Sequence, residues 1–446
     1  MDPKPDTIAA IATAHGRGGI GIVRLSGNNL GLFVQSITGK SLASRVATFT
    51  SFCDAQGNII DQGIALFYPA PHSYTGEDVL ELQGHGGVAV PQLLLQRCLE
   101  LGARLARPGE FTQRAFLNDK LDLAQAESVA DLIDATTTQA ARSAMRSLQG
   151  EFSSAIHSLV DKLVHLRKLI EAMLDFSEEE IDMLSVDQRN ISINELLSEL
   201  DQITRLADQG SLLREGAHVV LVGQPNVGKS SLLNQLSGED IALVSDIPGT
   251  TRDVIRQSIQ LNGVPLHIID TAGLRDAQDQ IEQMGIARTH GAVKKADAIL
   301  LILDSARGIS PEEQKIKDEL PTDVPVVRIF NKIDLSGNKA AVEEDDTGCD
   351  IYLSAKTGAG LDLLRERLLA LIGWHQESGV FMARERHIQA LARAREYLLS
   401  ARGIADQMEL LAEELRLAQA ELGKITGEFT PDDLLGEIFS SFCIGK

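Results

Sequence analysis

The sequence predicts a multidomain α/β protein in three parts: a small N-terminal α+β domain, an α-helical domain supplied by two separate chain segments, and a doubly wound α/β domain inserted between those segments. Three observations carry this expectation. The stretch His218–Ser231 sends a short apolar run, His218–Val222, into Gly223-Gln-Pro-Asn-Val-Gly-Lys-Ser230, which fits the P-loop pattern GxxxxGK[ST]. From Gly109 to Gln224 there is no proline, and apolar residues recur there at helical spacing. Helical spacing returns beyond Trp374, so helices flank the strand-rich stretch on both sides.

At 446 residues the chain is too long for one core. A formal net charge of -21 argues against a protein that grips nucleic acid over a broad basic face. The four cysteines, Cys53, Cys98, Cys349 and Cys443, form no CxxC pair, so neither a zinc site nor a disulfide framework is expected. Residues Met1–Asp6 lack the basic and apolar pattern of a leader, and no run of about 18 apolar residues occurs, so a cytoplasmic protein without a membrane span is expected. Cys443-Ile-Gly-Lys446 has the cysteine position of a prenylation box, but its last two residues and the lack of a polybasic stretch speak against lipidation.

In residues 1–118, Ile20–Leu25, Ile59–Tyr68 and Asp78–Leu82 read as strands and Val90–Leu101 as a helix. The turns Gly16–Gly19, Ser73–Glu77 and Gly84–Gly87 are either plain loops or backbone packed closely around a ligand. Across residues 119–214, an apolar stripe through Met145, Leu148, Phe152, Ile156, Leu159, Leu163, Leu166, Ile170 and Met173 predicts one long helix. Ile193, Leu196, Leu200, Ile203 and Leu206 predict another, with the solvated run Glu178–Glu180 between them. The inserted domain spans 215–375. In residues 376–446, Ile388, Leu391, Ala394 and Leu398 share one helical face and Met408, Leu411 and Leu415 another, and Thr430-Pro-Asp-Asp433 opens a last short helix.

Within the inserted domain, the loop Gly223–Ser230 turns backbone N–H groups toward phosphates, with Lys229 for the β- and γ-phosphates and Ser230 for Mg²⁺. Downstream, Asp246-Ile-Pro-Gly-Thr-Thr-Arg-Asp253 offers two hydroxyls, of which Thr251 is the expected second Mg²⁺ ligand. Strands Val254–Leu261 and Val264–Ile269 flank the hairpin signal Asn262-Gly263. The second strand ends in Asp270-Thr-Ala-Gly273, where Asp270 can hold a metal-bound water and the Gly273 N–H can meet the γ-phosphate. Strands Ile299–Leu303 and Val324–Phe330 follow, the latter ending in Asn331-Lys-Ile-Asp334.

This last motif selects guanine. The Asp334 carboxylate accepts from N1–H and the 2-amino group, whereas adenine presents an unprotonated N1 to the anion. Lys332 can lie over the base plane, and the Ala355 N–H of Ser354-Ala-Lys356 can meet the guanine carbonyl. Four motifs in one order, each at the C-terminal end of a predicted strand, predict GTP binding. The expected contacts are Asn226, Val227, Gly228, Lys229, Ser230 and Ser231; Ser245, Asp246, Ile247, Pro248, Gly249, Thr250 and Thr251; Asp270, Thr271, Ala272 and Gly273; Asn331, Lys332 and Asp334; and Ser354, Ala355 and Lys356.

Hydrolysis needs more. The place at which Ras-like proteins carry a water-orienting glutamine is Leu274. Glu282 is the candidate instead, against the plain reading of an exposed helical glutamate. Arg252 and Arg275 are either charge-neutralising groups or solvated residues. A monovalent cation near Asn226 and the carbonyls of the 246–253 loop is a further source of positive charge, unless Asn226 merely shapes its loop.

With these motifs assembled, the chain resembles the MnmE (TrmE) family of tRNA modification GTPases, in the TrmE-Era-EngA-like branch of P-loop GTPases. The resemblance spans nearly the whole length, through Gly16–Arg24, Tyr74–Asp78, Gly109–Ala115, Asp119–Leu123, the nucleotide motifs and Cys443–Lys446. It implies a Ras-like inserted domain and an N-terminal domain that dimerises and binds 5,10-methylene- or 5-formyl-tetrahydrofolate through Arg24, Glu81, Lys120 and Lys446. Without it, the first three would read as an ordinary salt-bridge set. It also implies a K⁺ site from Asn226, Ser245, Ile247 and Thr250, potassium-dependent activation by dimerisation of the GTPase domains, and Glu282 as the catalytic glutamate. Pro248 stands where many members carry alanine. The implied activity is formation of 5-carboxymethylaminomethyl- or aminomethyl-uridine at the tRNA wobble position with the flavoprotein MnmG, which would supply FAD and most of the tRNA contact. The rival expectation is a regulatory GTPase of ribosome assembly or signalling whose N-terminal domain is only an interaction module. Such proteins usually carry an RNA-binding appendage, and no basic, aromatic-interleaved stretch is seen here.

Overall fold

The structure, a computed structural model, describes residues 6–445 except 15, 176–183, 238–255, 271–295, 319, 323, 346–347, 376, 378, 429–431 and 441. The chain forms two compact units: residues 1–130, 147–193 and 393–446 build the first, and 131–146 with 194–392 the second. No helix among the described residues is long and apolar enough to cross a membrane.

The first unit contains strands β1 (Ile8–Ile11), β2 (Ile20–Gly27), β3 (Thr48–Cys53), β4 (Ile59–Tyr68), β5 (Asp78–His85) and β6 (Arg104–Leu105), in the spatial order β3-β4-β5-β2-β1-β6. Alternation decides its faces. Val23, Leu25, Leu80 and Leu82 point to one side and are buried with Phe33 and Val34 of helix α1 (Gly31–Thr38) and Leu94 and Cys98 of α2 (Ala89–Glu100). The other register positions therefore face away from these helices, and there β2 and β5 place Arg24 directly opposite Glu81. Helix α3 (Glu110–Leu117) contributes Phe111, which is buried with Ile8, Ala10 and Ala106.

The helical stripe expected from Met145 to Met173 is not one helix. Helix α4 spans Leu123–Asp134, α5 stops at Leu148 after starting at Thr138, and α6 runs Glu151–Asp175. At the junction the Gly150 N–H turns back to the Ser147 carbonyl, and Gly150 takes φ +89°. A left-handed glycine ends one helix, and the four-residue step from Leu148 to Phe152 preserves the apparent period across the break. From Phe152 the stripe holds: Ile156, Leu159, Leu163, Leu166 and Ile170 are buried on α6, which packs against α13 (Met408–Thr426), a helix that buries Leu411, Leu415, Ala418 and Leu422. The second expected helix is α7 (Val186–Glu215), and the run Glu178–Glu180 lies outside the described residues. The last helix, α14, spans Asp432–Ser440.

The second unit holds a seven-stranded sheet: β7 (Ala217–Gly223), β8 (Arg256–Leu261), β9 (Val264–Asp270), β10 (Ala298–Asp304), β11 (Val326–Asn331), β12 (Ala341–Asp345) and β13 (Gly348–Tyr352), ordered β12-β13-β11-β10-β7-β9-β8. Its helices among the described residues include α8 (Lys229–Ser237), α9 (Pro311–Asp318), α10 (Ile333–Ser336) and α11 (Leu361–Leu371), with α12 (Glu385–Gly403) starting beyond them. Only the two edge strands run antiparallel to their neighbours. Every residue of β10 is buried, as a central parallel strand requires. The Asn262-Gly263 hairpin forms as expected, with positive φ at both residues (50° and 83°).

The chain entering and leaving this sheet is pinned by α7. Gln209 donates to the Gly373 carbonyl (2.7 Å) and accepts from the His375 N–H (2.9 Å). A methyl at Gly210 would sit 1.8 Å from the Phe381 carbonyl oxygen, so backbone passes backbone there. Asp131, 6% exposed, meets Arg214 (3.0 Å) just before β7 and Arg384 (2.8 Å) just before α12.

In the first unit a charge cluster surrounds Glu110, which is 2% exposed. It accepts from Arg104 (2.8 Å) and from the Arg107 N–H (2.8 Å), and Arg114 lies 3.5 Å away. Burial opposes the Glu110 charge, but these donors win and hold its carboxyl at about 2 instead of 4.5. A depressed carboxyl stabilises the fold above its unfolded value and loses that contribution as acid protonates it in the native state. Urea unfolding should therefore find Glu110→Gln less stable than wild type by about 1–3 kcal/mol at neutral pH, with the gap closing between about pH 5 and pH 2. A gap independent of pH over that interval would show that the charge is not what Glu110 contributes.

Candidate nucleotide-binding site

β7 is buried along most of its length and releases the chain at the point where the sheet order diverges, with β9 on one side and β10 on the other. A crevice at the carboxyl ends of the strands follows from that topology. The loop Gln224–Gly228 crosses it, and α8 begins at Lys229. Lys229 is buried and donates to the Gly223 carbonyl (2.8 Å) and the Gln224 carbonyl (2.9 Å), so its ammonium is curled over the loop. Asn226 is exposed with φ 63°, and Ser230 is exposed in the first turn of α8.

One buried amide ties this loop to the segments after β11 and β13. Asn331, 2% exposed, donates through Nδ2 to the Val227 carbonyl (2.8 Å). Its Oδ1 accepts from the Lys332 N–H (2.8 Å) and the Ala355 N–H (2.9 Å). The Ala355 N–H, expected on a guanine carbonyl, thus donates to Asn331 here. Gly228 has to be glycine for the amide to lie so close, since a Cβ there would stand 2.2 Å from Nδ2. Asp334 Oδ1 accepts from the buried Ser354 hydroxyl (2.6 Å), which also accepts from the Thr357 N–H (3.2 Å). Between these groups opens a cavity of about 420 Å³, lined by Gly228, Ser231, Asn331, Lys332, Asp334, Ala355 and Lys356 among others.

Asp304, which sequence reasoning did not single out, closes β10 and lies 2.9 Å from the Lys332 ammonium. Burial works against its charge, but Lys332 and the Ala306 N–H hold its carboxyl below the usual carboxylate range. The available signal was a lone carboxylate ending the run Ala298–Leu303. Of the other expected contacts, Ser245, Asp246, Ile247, Pro248, Gly249, Thr250, Thr251, Thr271, Ala272, Gly273 and Glu282 lie outside the described residues, as do Arg252, Leu274 and Arg275. Asp270 is placed as the last residue of β9.

In the first unit, Arg24 and Glu81 form an ion pair at 2.9 Å across β2 and β5. Arg24 also donates to the Gly445 carbonyl (3.2 Å), and its guanidinium carbon stands 5.8 Å from the Phe111 ring centroid. Lys446 lies outside the described residues, but the residue before it is thus fixed on Arg24. Lys120 is exposed in the turn after α3, its N–H bonded to the Ala115 carbonyl. The glycine turns Gly16–Gly19 and Gly84–Gly87 meet: the Gly86 N–H reaches the Gly19 carbonyl (3.3 Å), and a Cβ on Gly86 would lie 2.4 Å from the Gly18 oxygen. Gly86 is accounted for by this close approach, whereas a Cβ on Gly16, Gly19 or Gly87 would meet nothing within 4 Å, and beside the two turns a cavity of about 580 Å³ opens. Among the described residues no cluster of His, Cys, Asp and Glu suits a metal ion.

Residues 7–120 match the family described as GTP-binding protein TrmE N-terminus, and residues 123–443 the MnmE helical domain. Among similar proteins, that of Nitrosomonas europaea, named tRNA modification GTPase MnmE, is 60% identical over 447 residues, covering 99% of both chains. The proteins of that name from Nitrosomonas eutropha and Chromobacterium violaceum are 59% and 57% identical, each again over 99% of both chains.

Proposed function

The chain belongs to the MnmE family of tRNA modification GTPases, and from that premise we propose that its GTPase cycle drives C5 modification of the wobble uridine together with the flavoprotein MnmG. That it is a GTP-hydrolysing enzyme of tRNA modification follows from the family. The nucleotide part of this reading is supported above all by the Asn331 amide, which ties the P-loop to the segment beside Asp334 at one cavity.

In this reading Asp334 accepts from the N1–H and 2-amino groups of guanine while the Lys332 stem covers the base. The P-loop N–H groups bind the phosphates, and Lys229 exchanges its two carbonyl partners for β- and γ-phosphate oxygens. Ser230 and Thr251 would hold Mg²⁺, an oxygen-only pair that suits a hard cation, with Ser230 exposed at the start of α8. When bound, the ion draws negative charge from the β- and γ-phosphate oxygens. Glu282 orients a water; its oxygen bonds to the γ-phosphorus, the bond to the β-phosphate oxygen breaks, and GDP and inorganic phosphate leave. Asn226, Ser245, Ile247 and Thr250 would hold K⁺ and so replace a missing arginine, and dimerisation of the GTPase domains would complete the site.

Arg24, Glu81, Lys120 and Lys446 are the proposed tetrahydrofolate contacts. The Arg24–Glu81 pair supports this because its side chains remain 23% and 14% exposed, leaving charge for a carboxylate and for pterin N–H donors. Working units of 1–118, 119–214, 215–375 and 376–446, a homodimer, and a cytoplasmic complex in which MnmG carries FAD and most of the tRNA contact complete the proposal.

Mass spectrometry of wobble nucleosides should show loss of the C5 substituent in cells lacking this chain; unchanged nucleosides would end the proposal. In vitro, replacing potassium by sodium, or Glu282 by Ala, should slow single-turnover GTP hydrolysis by at least about tenfold while GTP affinity changes little. Equal rates in both salts would remove the cation, and a fully active Glu282→Ala would remove the glutamate. Calorimetry with 5-formyl-tetrahydrofolate should give binding that Arg24→Ala weakens by about tenfold or more. No heat with wild type would leave the N-terminal domain as an interaction module.

A further inference from the structure

Lys332 occupies an unusual place. Its backbone is left-handed, with φ 68°, a conformation that side chains other than glycine adopt at a cost. Two contacts hold it there: its N–H on Asn331 Oδ1 (2.8 Å) and its ammonium on Asp304 Oδ2 (2.9 Å). The Asp304 carboxylate is itself fixed, because Oδ1 accepts from the Ala306 N–H (3.0 Å) and the residue is only 8% exposed. Arg307, the other cation near it, stands 4.0 Å away on a side chain that is 82% exposed. Asp304 does not line the cavity, whereas Lys332 and Asp334 both do.

That arrangement leaves Lys332 a choice of two carboxylates. Asp334 is two residues along the chain on the same cavity wall, with Oδ1 already accepting from the Ser354 hydroxyl. A lysine released from Asp304 has a flexible four-carbon stem and three donors to bring to that second anion. An ammonium on Asp334 would compete with the very base edge that the carboxylate reads.

We propose that Asp304 is a positioning residue for guanine selection, which holds the Lys332 ammonium outside the cavity so that the lysine stem lines it and Asp334 stays open to the 2-amino group. The inference rests on the reading of Asp334 as the guanine contact. It gives Asp304 no contact with nucleotide, and all of its effect passes through Lys332.

GDP and IDP separate this from a general loosening of the site, since they differ only by the 2-amino group. Measured by calorimetry on the full chain, Asp304→Asn should weaken GDP by about tenfold and IDP by less than about threefold, shrinking the preference for GDP. Asp304→Glu, which keeps the anion, should preserve the preference. Lys332→Met should weaken both nucleotides alike, and adding Asp304→Asn to it should change nothing further. Equal loss of GDP and IDP in Asp304→Asn, or a loss that persists in the Lys332→Met background, would overturn the proposal. If Asp304→Asn does not fold, Lys332→Met alone decides, because a collapsed GDP preference there would show that the ammonium is not the competitor. Asp334→Asn separates the two levels: if it leaves the GDP-to-IDP ratio unchanged, the base contact is misplaced, whereas a collapse there with an intact ratio in Asp304→Asn sinks only the inference.

Discussion

The nucleotide half of this protein depends on one side chain, the amide of Asn331. It is engaged at both ends inside the protein, with Nδ2 donating to the P-loop at Val227 and Oδ1 shared by Lys332 and Ala355. Three segments far apart in sequence are thereby fixed to one group about the size of a peptide unit. A buried amide with partners missing would cost about 1–3 kcal/mol for each lost contact, so the three loops are interdependent. The loop ending at Gly228 and the segments after β11 and β13 cannot drift separately while the amide keeps its partners.

The sheet explains why such a group stands there. Parallel strands buried on both faces tolerate polar side chains mainly at their ends, and here Asp304 closes β10, Asn331 closes β11 and Ser354 follows β13. Each finds its partner on a neighbouring strand end: Asp304 on Lys332, Asn331 on Ala355, Ser354 on Asp334. The polar groups are thus satisfied by one another before any ligand arrives, which fixes their directions at the rim of the cavity. α7 extends the constraint outward, because Gln209 grips the chain that leaves the sheet and Arg214, at the foot of β7, shares Asp131 with Arg384.

Much of this was legible in the residues, and what was not has a physical reason. Strands β7, β9, β10 and β11 and the Asn262-Gly263 hairpin follow from local pattern and turn chemistry, so they form close to where the sequence places them. The break at Gly150 was hidden because Leu148 and Phe152 keep a helical interval across a glycine that ends the helix. Asp304 was hidden for a different reason: its partner is 28 positions away, and only the pairing of β10 with β11 brings the two ends together. Arg24 and Glu81 lie on strands predicted from sequence, but the pairing of β2 with β5 that makes them neighbours skips β3 and β4.

That pairing also governs what a ligand at Arg24 would meet. The guanidinium is committed, with Nε and Nη2 on Glu81 Oε1 and Nη1 on the Gly445 carbonyl. The Gly445 contact depends in turn on the chain end being anchored, and Phe439 and Phe442 supply that anchor by burial with Leu123 and Ala126, while the Gly109 N–H reaches the Cys443 carbonyl (3.3 Å). Glu81 Oε2 has a weaker claim on it, the Gln83 amide at 3.3 Å. An incoming carboxylate therefore competes with a neutral carbonyl for Arg24, an exchange that favours the charge. Oε2 is thus the more available half of Glu81, open to an N–H donor without separation of the ion pair. The weakest contacts around this pair are thus the ones an incoming group would replace, and its charges would stay matched.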